Sequence, residues 1–257
     1  MKLSAIVITK NEEKTIQRCL TSLKFADEII VIDAASTDQT TTIARQTGAR
    51  VITNSWPGYG LQKNLGRDHS QGDWLLFIDA DEEISPSLAS EITRAINQST
   101  SDFYWLRVLD IFLGSPLNHL TGHNLRLFKK SAGRWTNQPV HEQVETLTGQ
   151  RLKLTPNSPI LINPLIHHSH ATIKSYLNKM RRYTSLDAQQ MGATGHHRSG
   201  RPVSPSFLLP YKLAARQFIK LLIYKKGLLD GYSGFIWSLL SAYYEYEMAQ
   251  KYLKLCA

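Results

Sequence analysis

The chain has 257 residues, 42% hydrophobic and 20% charged, which suits one large or two small globular domains and excludes a disordered or fibrous chain. Its net charge of +9, with the excess in the second half, favours an acidic partner such as a phosphorylated substrate or anionic lipid. No basic region is interleaved with a nucleic-acid-binding motif, so nucleic acid is set aside. The two cysteines, Cys19 and Cys256, sit at opposite ends and suggest neither a disulfide framework nor a thiolate metal site.

The N-terminus starts directly with an apolar strand, Leu3 to Thr9, so no cleavable signal is expected. No uncharged apolar run of about 18 residues occurs, so no membrane-spanning helix is expected, and a reducing cytoplasm fits the chain. Asn11 is placed to cap the next helix, with Glu12 and Glu13 against its positive end, and Ile16, Cys19, Leu20 and Leu23 form one apolar stripe. Glu28 to Asp33 reads as a second strand. Ser36-Thr-Asp-Gln39 fits a capping box for a second helix that Gly48 would stop, and Arg50 to Thr53 is a short third strand. Trp56 to Gly60 is a turn, and Gln62 to His69 a helix carrying Lys63, Asn64 and Arg67.

Trp74-Leu-Leu-Phe-Ile78 is an apolar run of the kind buried on both faces of a parallel sheet, and it ends in the carboxylates Asp79, Asp81, Glu82 and Glu83. Ligands of open α/β sheets bind outside the carboxyl ends of the strands, so this negative cluster falls where a site is expected. Asp79 and Asp81, two apart, leave an extended segment on the same side, and hard oxygen ligands at that density suit Mg²⁺ or Mn²⁺, ions that also hold substrate phosphates. Ser85-Pro86 starts the following helix, whose buried face is Leu88, Ile92, Ala95 and Ile96. Alternating strands and helices predict a doubly wound, mostly parallel sheet, with Asp33 and Asp79 at strand ends in one crevice. Neither a Gly-x-Gly-x-x-Gly after the first strand nor a P-loop is present.

The second half loses the alternation. Asp102 to Phe112 and Asn124 to Lys129 read as strands, and Gln138 to Glu145 contains a third, all added, mixed or antiparallel, to the sheet's edge. The histidine-rich Ile166-His-His-Ser-His170 suits either metal ligands or a polar strand end. Thr172 to Gln190 is a basic helix, Met191 to Ser206 a loop, and from Phe207 the chain is helical, aromatic and basic. Cations beside Trp, Tyr, Phe and Leu suit an interfacial helix, and equally a helix pair packed on a core.

Ile8-Thr-Lys-Asn-Glu-Glu13, Val31-Ile-Asp-Ala-Ala-Ser-Thr-Asp38, Gln62-Lys-Asn64, Gly72-Asp-Trp74 and Asp79-Ala-Asp-Glu-Glu83 occur in this order. They are followed by Leu125-Arg-Leu-Phe-Lys129, Val140-His-Glu142, Asn163-Pro-Leu165 with His167, and Gly227-Leu-Leu-Asp-Gly231. Together these motifs resemble the inverting GT-A glycosyltransferases of family 2, and within them the lipopolysaccharide-core glucosyltransferase-like branch. The resemblance implies a GT-A fold, a Rossmann-like, mostly parallel sheet flanked by helices with a C-terminal helical extension. It divides the chain into a catalytic domain, residues 1–170, and an extension, residues 171–257, facing acceptor or membrane. It implies a nucleotide-diphosphate sugar donor, UDP-glucose by resemblance, with Thr9, Glu12, Asp33, Lys63, Asp79 and Arg126 around it. Mg²⁺ or Mn²⁺ would be held by Asp79 and Asp81, with His167 as a third ligand or diphosphate contact. Glu142 would be the catalytic base, His141 orienting it or approaching the diphosphate, and Asp110 and Glu145 are its fallbacks. The chain departs from the family at Ala34, where many relatives carry a second aspartate, and at Lys63, where arginine is usual.

The expected activity is therefore metal-assisted, inverting transfer of a hexose to a lipid-linked or lipopolysaccharide-core saccharide by an enzyme held peripherally at the inner face of the membrane. A sugar-phosphate nucleotidyltransferase would want a glycine-rich loop after the first strand, of which Thr9-Lys-Asn-Glu12 is a poor version. A non-catalytic nucleotide- or glycan-binding module would not need Asp79, Asp81 and Glu142 intact.

Overall fold

The computed structural model describes residues 1–138 and 142–256. The elements in chain order are β1 (Leu3–Thr9), α1 (Ile16–Ser22), β2 (Glu28–Asp33), α2 (Thr40–Gln46), β3 (Arg50–Thr53), α3 (Tyr59–His69), β4 (Trp74–Asp79), β5 (Glu82–Ile84) and α4 (Pro86–Gln98). They continue with β6 (Phe103–Phe112), β7 (Ser115–Pro116), β8 (Gly122–Lys129), β9 (Gly133–Trp135), β10 (Val144–Thr146), β11 (Ile160–His170), α5 (Ile173–Thr194), α6 (Leu209–Ile219) and α7 (Gly231–Cys256). The chain forms two compact units. One holds Met1–Leu109 and Gly122–His167, the other Asp110–Thr121 and the chain from His168 onward.

The main sheet runs β3-β2-β1-β4-β8-β6-β11-β5. Its first four strands are parallel. β8 runs antiparallel to β4 and β6, and β5 antiparallel to β11. Every residue of β1 is buried, and its successive side chains feed two different cores. Leu3, Ala5 and Val7 pack with Ile16, Cys19, Leu20 and Leu23 beside α1 and with Leu88 and Ile92 of α4. Ile6 and Ile8 pack with Ile30, Ile32, Leu75 and Phe77, under Tyr59 and Leu65 of α3. Each such fully buried aliphatic chain contributes about 1.5–3 kcal/mol. This parallel, helix-covered sheet with antiparallel additions is the GT-A architecture expected from the sequence.

Several local expectations are corrected. Asn11 caps no helix: α1 starts only at Ile16, and Asn11 has φ 55°. Its N–H donates to Ser36 Oγ and its Oδ1 accepts from Thr37 N, each at 2.8 Å, so it ties the loop after β1 to the loop after β2. Ser36 likewise caps nothing, because α2 begins at Thr40 and the Ser36 hydroxyl donates to Asp33 instead. Both side chains bond to neighbouring loop groups, and Ser36 also to the strand-end Asp33, so neither is left to cap a helix. The strand expected within 138–145 is Val144–Thr146, and it pairs with β9 in a separate ribbon, not with the main sheet's edge; residues 139–141 of that stretch lie outside the described residues. Ser85 caps α4 as expected, accepting from Leu88 N at 3.2 Å with Pro86 next to it.

The second unit is built on α5, α6 and α7. A π-helical segment, Lys220–Tyr224, continues α6, and a 3₁₀ turn, Gly227–Asp230, leads into α7. The helical run thus starts at Leu209, and α5 reaches Thr194, further than the sequence suggested. One core gathers Phe112, Tyr176 and Met180 with Trp237, whose ring lies edge-on to Phe112 at 5.1 Å. A second holds Ala188, Met191, Met248 and Tyr252. Beside it, Glu245 accepts from Arg198 Nη2 at 2.6 Å and pairs with His197 Nε2 at 2.9 Å. Among the described residues no helix is long and apolar enough to cross a membrane.

Candidate active site

Strand register brings the first set of predicted residues together. Thr9 lies opposite Asp33 and Ile8 opposite Asp79, so Thr9, Asp33 and Asp79 stand at the carboxyl ends of three adjacent parallel strands. Asp33 is buried and accepts from Ser36 N at 2.9 Å and Ser36 Oγ at 2.5 Å. Thr9 is buried, and its hydroxyl has no hydrogen-bond partner. Glu12 N donates to Thr40 Oγ1 at 2.7 Å, while its carboxylate accepts from Thr15 Oγ1 at 2.9 Å. The loops bordering this end of the sheet are therefore fixed by side-chain bonds.

At β4 the negative strand end is answered by two buried cations. β8 runs antiparallel to β4 with Leu127 opposite Leu76, which carries Arg126 toward the carboxyl end of β4. Arg126 Nη2 donates to Asp79 Oδ2 at 2.6 Å and to Glu82 Oε1 at 2.8 Å, and Asp79 N donates to Glu82 Oε2 at 2.8 Å. Burial opposes charge on Asp79, but Arg126 and Lys63 outweigh it and hold the carboxyl well below the usual carboxylate range. Burial, opposed by Arg126 and helped by the charge of Asp79, pushes Glu82 up to about 7. Burial also works against Arg126, yet Asp79 and Glu82 raise its pKa further. Arg126 Nε and Nη1 are buried without partners, and an unsatisfied buried donor costs about 1–3 kcal/mol, so the guanidinium retains capacity for an anion.

The second cation connects this strand end to the predicted base. Lys63 Nζ lies 2.6 Å from Glu142 Oε1, 3.7 Å from Asp79 Oδ1, and over the Trp135 ring at 4.3 Å from its centre. α3 reaches this position because it carries Gly60 in its first turn. A Cβ there would lie 1.9 Å from the Thr136 carbonyl oxygen. Thr136 in turn positions the Glu142 segment, its N–H donating to Gln143 O at 2.8 Å and its Oγ1 accepting from Gln143 N at 3.0 Å. Asn64 fixes Trp135 by a reciprocal pair of bonds, both 2.9 Å. Of the fallback bases, Glu145 pairs with Arg134 at 2.9 Å on the β9–β10 ribbon, and Asp110 belongs to the second unit. His141 lies outside the described residues.

Asp81 and His167 form the remaining part. β11 pairs with β5 so that His167 is opposite Glu82, and His167 Nε2 lies 3.3 Å from Asp81 Oδ2. Both side chains are about a quarter exposed, at 23% each. No three His, Cys, Asp or Glu among the described residues are grouped tightly enough to hold an ion by themselves. The chain turns at Ala80–Asp81, so Asp79 is directed to Arg126 and Lys63 and Asp81 to His167. This donor set fits Mg²⁺ or Mn²⁺ taken up through one or two protein ligands together with phosphate oxygens, the usual manner of such ions.

Sequence reading missed Glu82, Trp135, Thr136 and the steric role of Gly60. Glu82 was visible as part of the acidic run, but nothing in that run showed which carboxylate would turn inward to Arg126.

The model of the Glycosyl transferase family 2 matches residues 4–156 of the chain. An uncharacterised glycosyltransferase of Rickettsia prowazekii (strain Madrid E) is 31% identical over 259 residues, covering 94% of this chain and 83% of that protein. The lipopolysaccharide core biosynthesis glycosyltransferase LpsC of Rhizobium meliloti (strain 1021) is 27% identical over 267 residues, covering 98% and 92%. The crystal structure of S. aureus TarS 1–349 in complex with UDP superposes with a TM-score of 0.48 at 16% identity, covering 99% of this chain and 90% of that one. With the family pattern spanning β1 to the strand-end carboxylates and on past Glu142, the chain belongs to glycosyl transferase family 2 and is a glycosyltransferase.

Proposed function

We propose that the enzyme moves a hexose, glucose by its resemblance, from a UDP-sugar to a lipid-linked or lipopolysaccharide-core saccharide with inversion at the anomeric carbon. The observation that carries this reading is the chain of contacts Glu142–Lys63–Asp79–Arg126 at the carboxyl ends of the parallel strands. It unites two carboxylates with two buried cations, one of which keeps unsatisfied donors. Similarity to LpsC, named for lipopolysaccharide core biosynthesis, supports the acceptor class.

In this reading Thr9, Glu12 and Asp33 border the nucleoside, and Lys63 and Arg126 face the diphosphate. The acceptor hydroxyl oxygen bonds to the anomeric carbon as the bond from that carbon to the diphosphate oxygen breaks. Glu142 takes the hydroxyl proton, and the nucleoside diphosphate leaves with the electron pair. Lys63 holds Glu142 in place and supplies positive charge between it and Asp79. Asp81 and His167 would hold Mg²⁺ or Mn²⁺, and Asp79 would join them by exchanging a contact with Arg126 or Lys63. The ion would neutralise charge developing on the leaving diphosphate. The enzyme works peripherally at the inner face of the membrane, where its acceptor is anchored.

Titration calorimetry of UDP with and without Mn²⁺, on the parent and on Asp81→Ala, tests the donor site. Metal-dependent binding that Asp81→Ala abolishes is expected. Equal UDP binding by both proteins would remove Asp81 from the site, and no UDP binding at all would overturn the choice of nucleotide.

A further inference from the structure

The bend between α6 and α7 is tightly built, yet it presents apolar side chains to water. Lys226 has φ 57° and Gly231 φ 64°, so the chain reverses at left-handed positions on both sides of the 3₁₀ turn. A Cβ on Gly234 would lie 2.0 Å from the Gly227 carbonyl oxygen, and one on Gly227 would lie 2.8 Å from the Leu221 carbonyl oxygen. The Asp230 side chain is 1% exposed. It accepts from the His119 and Leu120 N–H groups at 3.1 and 3.2 Å and pairs with His119 Nδ1 at 2.8 Å. The two outer glycines and the aspartate of the Gly227-Leu-Leu-Asp-Gly231 motif thus fix the bend, and it leaves its two leucines exposed. Leu228 is 64% and Leu229 66% exposed.

The surroundings extend the same surface. Ile223, Tyr224 and Tyr232 flank the leucines, and all three are exposed. Lys220, Lys225 and Lys226 are exposed beside them. From Phe207 to Tyr244 the chain carries five Lys/Arg and one acid, Asp230, whose charge is turned inward to His119. The tip is therefore apolar, preceded in the chain by three exposed lysines, and uncompensated by any exposed carboxylate in that segment. Isolated exposed apolar residues are ordinary, but a group of them on a tightly built bend beside exposed cations marks an interaction site.

We infer that the α6–α7 bend is a membrane-docking tip that inserts Leu228, Leu229 and their aromatic neighbours at the headgroup boundary of an anionic bilayer while Lys220, Lys225 and Lys226 engage the lipid phosphates. Charge complementarity selects lipid over a second copy of this chain, because two such basic tips would repel each other. The amphipathic composition suits shallow burial strengthened by anionic headgroups. The inference deepens the reading of a lipid-anchored acceptor and rests on it for its purpose, but its test uses neither donor nor acceptor.

The test is flotation of the full chain with vesicles of phosphatidylcholine alone and of phosphatidylcholine mixed with phosphatidylglycerol. The parent should float with the anionic vesicles and much less with the neutral ones. Leu228→Ser with Leu229→Ser should weaken partitioning by about tenfold or more per leucine. Lys225→Gln with Lys226→Asn should weaken it by about fivefold per lysine, with asparagine retaining the left-handed position. Both variants should keep the parent's melting temperature and UDP affinity, so that a failed donor site and a failed docking tip read out separately. Equal flotation of parent and double-leucine variant would overturn the proposal, as would a parent that ignores anionic vesicles. Leucine substitutions that turn a dimer into a monomer in sedimentation, with no vesicle binding by either protein, would assign the tip to self-association instead.

Discussion

Lys63 and Glu142 are 79 positions apart in the chain, yet the ammonium and the carboxylate meet at 2.6 Å. Lys63 is held from α3 and Glu142 from the segment that hydrogen-bonds to Thr136, so the pair depends on the fit between α3 and that segment.

Replacing Glu142 with glutamine keeps its shape and its bond to Lys63 but removes the proton acceptor. UDP affinity should stay near the parent's, while turnover should fall by about 10²–10⁴-fold, the range for loss of a general base. Paired calorimetry and transfer assays check this, and normal turnover in Glu142→Gln would remove the residue from the mechanism.

Lys63→Met tests the other partner. The substitution leaves Glu142 and Asp79 without the cation between them, and loss of one member of a buried pair costs about 3–5 kcal/mol. A lower melting temperature and weaker UDP binding are both expected. An unchanged UDP affinity would mean that Lys63 is an internal counter-ion only.

Gly60→Ala has no chemistry to lose, so it isolates geometry. Its methyl group would overlap the Thr136 carbonyl, and overpacking of this sort costs about 1–3 kcal/mol. Turnover should fall with stability, because the same segment positions Glu142. A variant with the parent's melting temperature and turnover would show that α3 can move away at no cost.

Much of this was legible in the sequence, and the reasons are physical. β1, β2 and β4 are recognisable because strands buried on both faces leave unbroken apolar runs, and α4 because Ser85-Pro86 writes its start. Asp79 and Asp81 stand out because four acids follow one such run. What could not be read is pairing at a distance. No local pattern joins Lys63 to Glu142 or Arg126 to Glu82, and no pattern reveals that Asn11 and Ser36 bond each other's loops where each had the makings of a helix cap. β9 was missed and β10 read only in outline because the two partners are three residues each, too few to show alternation.

His167→Ala addresses the metal. If the imidazole shares a divalent ion with Asp81 as proposed, its removal should weaken Mn²⁺ uptake measured in the presence of UDP. An unchanged Mn²⁺ affinity would confine His167 to its contact with Asp81.

Acid stability of the second unit should report on Glu245. Burial opposes its charge, but His197 and Arg198 outweigh burial and lower its pKa from the ordinary 4.5. A carboxyl lowered on folding contributes stability that is complete above 4.5 and is lost as pH falls through its depressed folded value. Glu245→Gln should therefore be less stable than the parent near neutral pH, and the gap should close in acid. A gap independent of pH would attribute the loss to packing.

The pairing of β11 with β5 sets a rule for changes in chain length. His167 reaches Asp81 only because Leu165, Ile166 and His167 lie opposite Ile84, Glu83 and Glu82. A strand presents alternate residues to opposite faces, so inserting or deleting one residue between Leu165 and His167 would turn the imidazole away from Asp81. The turn at residues 155–158 lies before the strand begins and does not set this parity. Homologues and engineered variants should therefore differ in length there, while the spacing from Leu165 to His167 stays constant wherever the histidine is retained.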